Sequence, residues 1–561
     1  MWKYTPQNSR DKTQKTYRWV KSPLCKYTQK QWRLRRDYII ITWNAMPLKY
    51  EIKMFPCEDC VVLTTVDQMN RTLEDIGKLT NVADVKTIVL VQNMDAFLEA
   101  YESEYEYVGK SRESNGIRYN FCAISEKFEF RNLEPLVGER EVYSTQDVIE
   151  VLASYNRPVY KIVWSMAHMS MKSFYTDELR KACAEDVKKN KRYFNDVNIY
   201  NDMFAGSSSG RLYLAPDHQK VILNDVSAFD KKSAYPWVFV TNNKFPLTKV
   251  MKCGYMDFLK AYEHDKWFLI VLRGVDLPPK WDYFRAKGDE HSYAWNNYDY
   301  KTIELLPELW NLYEEVLTKY DCKYYTASKC GYLLEPWRRH YIELYNIKNS
   351  YVDKEDPDRV QYKTQLDMMY GKGLQWYGYE TDEQVVNHYK HRPDHYMLPH
   401  WSKMAVSALK YELTRTYLYD DEQFYADTDG TKSTKDKEYL KDLYLRQLND
   451  EIAKINKKAG FAGCDIGFWD YEYTADRFLA LAKKQYAYEL NGKYHYTISG
   501  PRKDLLTAQL SEVEDPLQWL ADGNKIKKQA GLMYWKEEKI YIPKYDDYVI
   551  GDNYIYDEVI L

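Results

Sequence analysis

The sequence predicts a multidomain protein of mixed α/β and α+β class, on three observations. Its 561 residues exceed what a single hydrophobic core organises, so three or more subdomains are expected. Between residues 37 and 101, short apolar runs alternate with segments of helical periodicity, which suggests an α/β subdomain. Further along, strands and long helices are mixed, and the chain closes on a strand-rich stretch.

Taken in order, residues 1–36 form a basic arm, with eleven Lys or Arg from Lys3 to Arg36 against one acid, Asp11. Trp2, Tyr4, Tyr17, Trp19, Tyr27 and Trp32 are interleaved with the cations. That mixture suits phosphates and stacked bases, but it also suits a solvated arm or an Arg-rich presequence. Asp37–Trp43 and Tyr50–Phe55 read as strands, Val66–Leu79 as a helix, Lys86–Gln92 as a buried strand and Met94–Tyr101 as a helix. Thr145–Tyr155 is helical, with Ser144 or Thr145 as N-cap. Ala205–Gly210 is a Gly/Ser loop, and a strand starts at Val221. Residues 250–335 hold a strand, Trp267–Val275, and an amphipathic helix, Lys301–Tyr320. Helices are expected over Pro336–Tyr351, Pro357–Tyr370 and Trp401–Tyr419, then strands to an acidic, tyrosine-rich tail.

Composition narrows the class. Hydrophobic residues make up 45% and charged residues 29%, as in a soluble globular protein, and the expected location is the cytoplasm. No apolar run reaches the ~18 residues that span a membrane, and no signal peptide is evident. Nine cysteines without a repeating frame suit reduced thiols, and Cys57-Glu-Asp-Cys60 has no second CxxC to complete a zinc site. The net charge of −3 argues against a nucleic-acid binder until the basic arm is considered separately. The 55 tyrosines could line a channel for nucleic acid, or reflect an AT-rich genome.

Three segments carry the chemistry. Asp230-Lys-Lys-Ser-Ala-Tyr-Pro236 follows a strand and turns toward a helix, so its carboxylate can meet metals while the next backbone groups meet a triphosphate. Tyr235 would lie beneath the incoming sugar and exclude a 2′-hydroxyl. In the second segment Arg359 and Lys363 share a helix face at i, i+4, matching the charge that grows on a leaving pyrophosphate. Tyr370 and Gly371 follow on the same helix, where a ring and a bare backbone could contact the nascent base pair. In Tyr425-Ala-Asp427-Thr-Asp429-Gly430, two carboxylates flank one residue on a tight hairpin, and alternation would put both on one face. Such a pair is costly without a cation and suits two magnesium ions, with manganese as a substitute. Lys484 and Tyr486 would alternate on a strand and hold a primer terminus. Read separately, an ordinary turn, a solvated cationic face and an acidic surface turn would explain the three segments.

Together and in this order the motifs resemble those of family B DNA polymerases. Three positions depart from the family pattern: Asp367 and Met368 stand where Asn and Ser are usual, and Gly430 where Ser is usual. The compact length looks most like the protein-primed branch. The resemblance implies a right-hand polymerase of palm, fingers and thumb, preceded by a ribonuclease-H-like exonuclease-type domain. It divides the chain into the arm (1–36), an exonuclease-like domain (37–190), a linker motif and the start of the palm (191–249), and an insertion of the terminal-protein-binding kind (250–335). Fingers (336–375), a short second insertion (376–400), palm (401–490) and thumb (491–561) follow. It makes Asp230, Asp427 and Asp429 catalytic, with Asp230, Asp429 and the Lys231 backbone at the metals. Lys348, Arg359, Lys363, Tyr235 and Tyr370 would bind nucleotide. Phe204, Gly206, Ser207, Gly371, Tyr425, Lys484 and Tyr486 would bind primer and template. Implied partners are template and primer DNA, dNTPs and a terminal priming protein, the chain acting as monomer or as heterodimer with that protein.

The exonuclease pattern is eroded. The first strand, Ile39-Ile-Ile-Thr-Trp-Asn44, lacks its acidic pair, leaving Asp95, Tyr143 and Asp147 as remnants, and absent proofreading is expected. The contrasting reading is a non-catalytic nucleic-acid-binding scaffold on a decayed polymerase fold.

Overall fold

Runs rich in β-branched and aromatic residues become strands in the first third of the chain. The computed structural model describes residues 2–8, 15–21, 38–45, 48–55, 60–63, 87–91, 106–114, 117–124, 128–132, 147–148, 150–151, 174–190, 194–205, 210, 212–278, 281, 284–286, 289–354, 356–374, 378–391, 396–498, 503–530, 534–541 and 555–560. Contacts divide the chain into two units: residues 1–173, 500–502 and 527–558, and residues 174–499, 503–526 and 559–561.

In the first unit the expected strands at 37–43, 50–55 and 86–92 are present as Tyr38–Ala45, Leu48–Phe55 and Thr87–Val91. They belong to an eight-stranded mixed sheet in which Thr87–Val91 runs parallel to both Tyr38–Ala45 and Phe128–Asn132. Trp2–Asn8 and Lys15–Lys21 of the basic arm pair as an antiparallel hairpin. Helical residues 147–148 and 150–151 fall within the helix expected at 145–155. The helices expected at 66–79 and 94–101 lie outside the described residues.

The second unit carries the motifs. In chain order it contains α1 (Val197–Ala205), β1 (Leu212–Leu214), β2 (Ile222–Lys231) and α2 (Ala234–Thr241). A substructure follows with β3 (Val250–Cys253), β4 (Phe268–Arg273), β5 (Asp289–Asn296), α3 (Asn297–Glu304), α4 (Pro307–Lys319) and β6 (Lys323–Ala327). Its sheet runs β3-β6-β4-β5 and ends on the short strand Arg285–Ala286. Phe268, Ile270, Trp281, Tyr293 and Trp295 fill its own core. The single helix expected over 301–320 is two helices. α3 starts earlier at a capping box, in which Asn296 accepts from the Asp299 amide while Asp299 accepts from that of Asn296. Pro307 then starts α4, because its ring fits a first helical turn and not a helix interior.

α5 (Glu335–Ser350), α6 (Pro357–Gly373) and α7 (Pro399–Tyr419) are the three expected helices. After them come β7 (Gln423–Asp427), β8 (Gly430–Ser433), β9 (Trp469–Ala482), β10 (Gln485–Leu490) and β11 (Lys493–Ile498). The central antiparallel sheet has the order β1-β7-β8-β2-β9-β10-β11. The strand-rich ending also contains two short helices, Lys503–Leu510 and Pro516–Ala521. The second is nucleated by Asp515, whose side chain caps the Gln518 amide, and by Pro516 at its first turn.

Two ionic contacts, each centred on a buried acid, fasten the substructure to its surroundings. The Asp202 carboxylate, on α1, accepts from Arg273 Nε at 2.7 Å, Lys323 Nζ at 3.2 Å and the Tyr325 hydroxyl. Lys403 of α7 lies 3.5 Å from Asp299 and donates to the Ala294 carbonyl. Each buried charge has partners, as burial requires.

Candidate active site

β2 and β8 are neighbours in the sheet, and Asp230 pairs in register with Gly430. A Cβ at position 430 would lie 3.1 Å from Asp230 Oδ1, so glycine lets the carboxylate rest against the hairpin. β7 and β8 are joined by Thr428 and Asp429 alone, since Asp427 pairs with Gly430. Thr428 has φ 61°, and the Asp429 amide donates to the Asp427 carbonyl at 2.6 Å. The expected alternation of Asp427 and Asp429 on an extended chain is therefore corrected: this is a reversal, not a strand. Its two carboxylates part company. Asp427 accepts from Lys484 Nζ at 2.7 Å and from Thr428 Oγ1 at 2.9 Å, while Asp429 faces Asp230.

Charge explains what this pair needs. Partial burial lifts the Asp230 carboxyl to about 6, helped by Glu472 and opposed by Lys432. Asp429 is raised well above the carboxylate range by burial and by Asp230, Asp367 and Asp427 together. Two carboxylates held against their own repulsion are stabilised by a cation. Among the described residues no group of three His, Cys, Asp or Glu is gathered closely enough to hold a metal alone. Magnesium is often held by one or two carboxylates with substrate phosphates completing its shell, and Asp230 with Asp429 fits that donor set.

One flank of this site is built around α2. Ser233, at φ 46°, turns the chain out of β2, and its Oγ accepts from Lys348 Nζ at 2.9 Å. Lys348 is buried, which lowers its ammonium to about 8, with Arg359 and Lys363 acting in the same direction. Lys363 is exposed, and Arg359 donates to the Lys354 carbonyl at 3.0 Å. The Tyr235 and Tyr370 rings stack with centroids 4.0 Å apart and planes 13° apart. Gly371 has open space where a Cβ would stand.

On the other side, Lys484 is not on a strand. Ala482 pairs with Gln485, so Lys483 and Lys484 form a two-residue turn, with Lys484 at φ 63°. Its amide donates to the Tyr425 hydroxyl at 2.9 Å, so two of the motifs are joined directly. Tyr486 is on β10 as expected, edge-on to Tyr425 and stacked on Phe478. Phe204 packs against Tyr200 on α1. Gly206, Ser207, Asp95 and Tyr143 lie outside the described residues, and Asp147 lies in the first unit.

Several contributors were not expected from the sequence. Gly210, the last residue of the Gly/Ser loop, sits where a Cβ would come within 2.9 Å of Thr428. The buried Lys231 side chain lies 4.0 Å over the Trp237 ring and 3.8 Å from Glu412, while its amide donates to the Asp429 carbonyl at 3.1 Å. Asp465 accepts from Lys232 at 3.0 Å and from the Tyr345 hydroxyl at 2.8 Å. A glycine ending a Gly/Ser run was the one available signal.

No family model matches the sequence, and no curated protein does. Among solved structures, phi29 DNA polymerase complexed with primer-template DNA and incoming nucleotide substrates matches at a TM-score of 0.51 and 12% identity, over 91% of this chain and 100% of that one. The same polymerase with single-stranded DNA matches at 0.47 and 12%, over 90% and 100%. The family B DNA polymerase of the archaeon Pyrobaculum calidifontis gives 0.30 and 11%, over 87% and 63%. The first of these likenesses establishes a mixed α/β fold of the kind seen in phi29 DNA polymerase. Among the described residues, no helix is long and apolar enough to cross a membrane.

Proposed function

We propose that this protein is a DNA-directed DNA polymerase. The observation that carries the reading is the Asp230–Asp429 pair, which β2 and the adjacent β7–β8 turn hold together against its own charge and which lies beside the cationic face of Lys348, Arg359 and Lys363. In this reading the seven-stranded sheet is the palm, α5 and α6 are the fingers, and the short helices after β11 belong to the thumb.

Asp230, Asp429 and the Lys231 backbone would hold magnesium, which when bound supplies charge neutralisation and a more acidic primer hydroxyl. Lys348, Lys363 and Arg359 neutralise the triphosphate as charge moves to the leaving pyrophosphate. Lys484 and Tyr486 position the primer end, and Lys484 keeps Asp427 paired at the rim. Tyr235, stacked under Tyr370, presents a flat ring where the sugar would sit. The substructure of residues 250–335, with Tyr255, Met256 and Trp310 exposed, is the proposed contact for a terminal priming protein.

The test incubates purified protein with labelled dNTPs and magnesium, with and without template and primer. Template-dependent extension is expected. DNA binding without incorporation under any of these conditions would favour the scaffold reading instead. Within the same assay, Tyr235→Val is expected to weaken discrimination against ribonucleotides by roughly a hundredfold, the equivalent of relieving a close steric clash. Measuring kcat/KM for a dNTP and its ribonucleotide in both proteins checks this.

A further inference from the structure

α6 presents two different faces. Gln361, Gln365, Leu366 and Met369 are buried, and the Tyr341 hydroxyl pins the helix to α5 through the Leu366 carbonyl at 3.3 Å. Lys363, Asp367 and Gly371, spaced at i, i+4 and i+8, form an exposed stripe on the helix, with Tyr370 beside it stacked on Tyr235. α6 packs against α5, which carries Lys348 within electrostatic reach of Lys363 and Asp367, and the Lys348 ammonium reaches across to Ser233 at the turn following Asp230. A carboxylate thus stands in the middle of the cationic face proposed to take a triphosphate.

We propose that Asp367 is a built-in counter-anion of the nucleotide pocket: it faces Lys348 and Lys363 while the pocket is empty and sets an electrostatic threshold that the incoming triphosphate must exceed. The inference rests on the polymerase reading above and adds a nucleotide-admission residue to it. Two opposing influences act on its charge. Desolvation against the neighbouring elements raises the Asp367 carboxyl above its ordinary value, and Lys363 and then Lys348 oppose that rise. The same carboxylate favours the charged form of Lys348 and disfavours ionisation of Asp429. A triphosphate brings negative charge to the same two lysines, so it competes with Asp367 and is repelled by it. The fixed anion also favours nucleotide whose charge is already reduced by a bound cation.

The experiment measures dNTP affinity with calcium in place of magnesium, and KM and kcat for extension with magnesium, in wild type, Asp367→Asn and Asp367→Glu. Asp367→Asn is expected to bind dNTP about tenfold more tightly and to lower KM by a similar factor, with kcat changed less. Asp367→Glu, which keeps the charge, is expected to stay near wild type. Affinity in Asp367→Asn that is equal to or weaker than wild type would overturn the inference, and so would equal gains in both variants. If wild type extends primers normally while Asp367→Asn shows no gain, only this inference is lost. If wild type neither binds dNTP nor extends, the polymerase reading fails and takes the inference with it.

Discussion

Asp429→Asn is expected to reduce primer extension about a thousandfold or more while leaving DNA binding nearly unchanged. The asymmetry follows from the site. Asp429 lies on a two-residue hairpin loop and faces Asp230, whereas Asp427 is already neutralised by Lys484. Removing the Asp429 charge leaves one carboxylate where the proposed two-metal chemistry uses two. Asp427→Asn is therefore expected to be milder, and to act partly by releasing Lys484. Stability moves the other way. The folded-state pKa of Asp429 lies above its unfolded value, so ionisation costs folding stability as pH rises from about 4 through the folded pKa. Without divalent cation, Asp429→Asn should melt higher than wild type at pH 8, and the difference should vanish toward pH 4. Thermal melts across that range, beside extension and DNA-binding assays, separate a catalytic carboxylate from a structural one. A variant that extends normally would remove Asp429 from the mechanism.

How much of this site was legible in the sequence depended on the kind of constraint. The strand before Asp230, the hairpin after Tyr425 and the three helices follow from local patterning, which one segment carries by itself. Pairing choices were not legible. That Lys484 turns back to Asp427, 57 positions away, depends on which strands become neighbours. Alternation misled at Thr428 and at Lys484 for the same reason. Each occupies a positive-φ turn position that glycine or asparagine would have announced and that threonine or lysine does not. The split of the expected 301–320 helix was available from Pro307, but the amphipathic pattern runs through the break and hid it. Buried Lys231 is the hardest case, because its company of Trp237, Trp469 and Glu412 comes from three separate elements.

Gly467→Ala tests that hidden support, and its expected cost is about 3 kcal/mol or more. Gly467 has φ 80°, where an L side chain is strained, and its amide donates to the Lys232 carbonyl at 2.8 Å, so the conformation is fixed. A Cβ there would lie 2.2, 2.3 and 2.7 Å from three ring carbons of Trp237. The indole has little room to yield. Its Nε1 donates to Asn456 at 3.1 Å, Asn456 in turn donates to the Cys464 and Ile466 carbonyls, and Lys231 covers the ring. Displacing Trp237 shifts α2, which carries Tyr235 two residues earlier and begins just after Asp230. A fall in melting temperature of several degrees is expected, together with a raised KM for dNTP in whatever remains folded. A double-mutant cycle isolates the cause. In a Trp237→Ala background the clash is gone, and Gly467→Ala should then cost only the smaller backbone strain. An equal cost in both backgrounds would mean that the backbone of Gly467, and not the seat it makes for Trp237, is what this turn preserves.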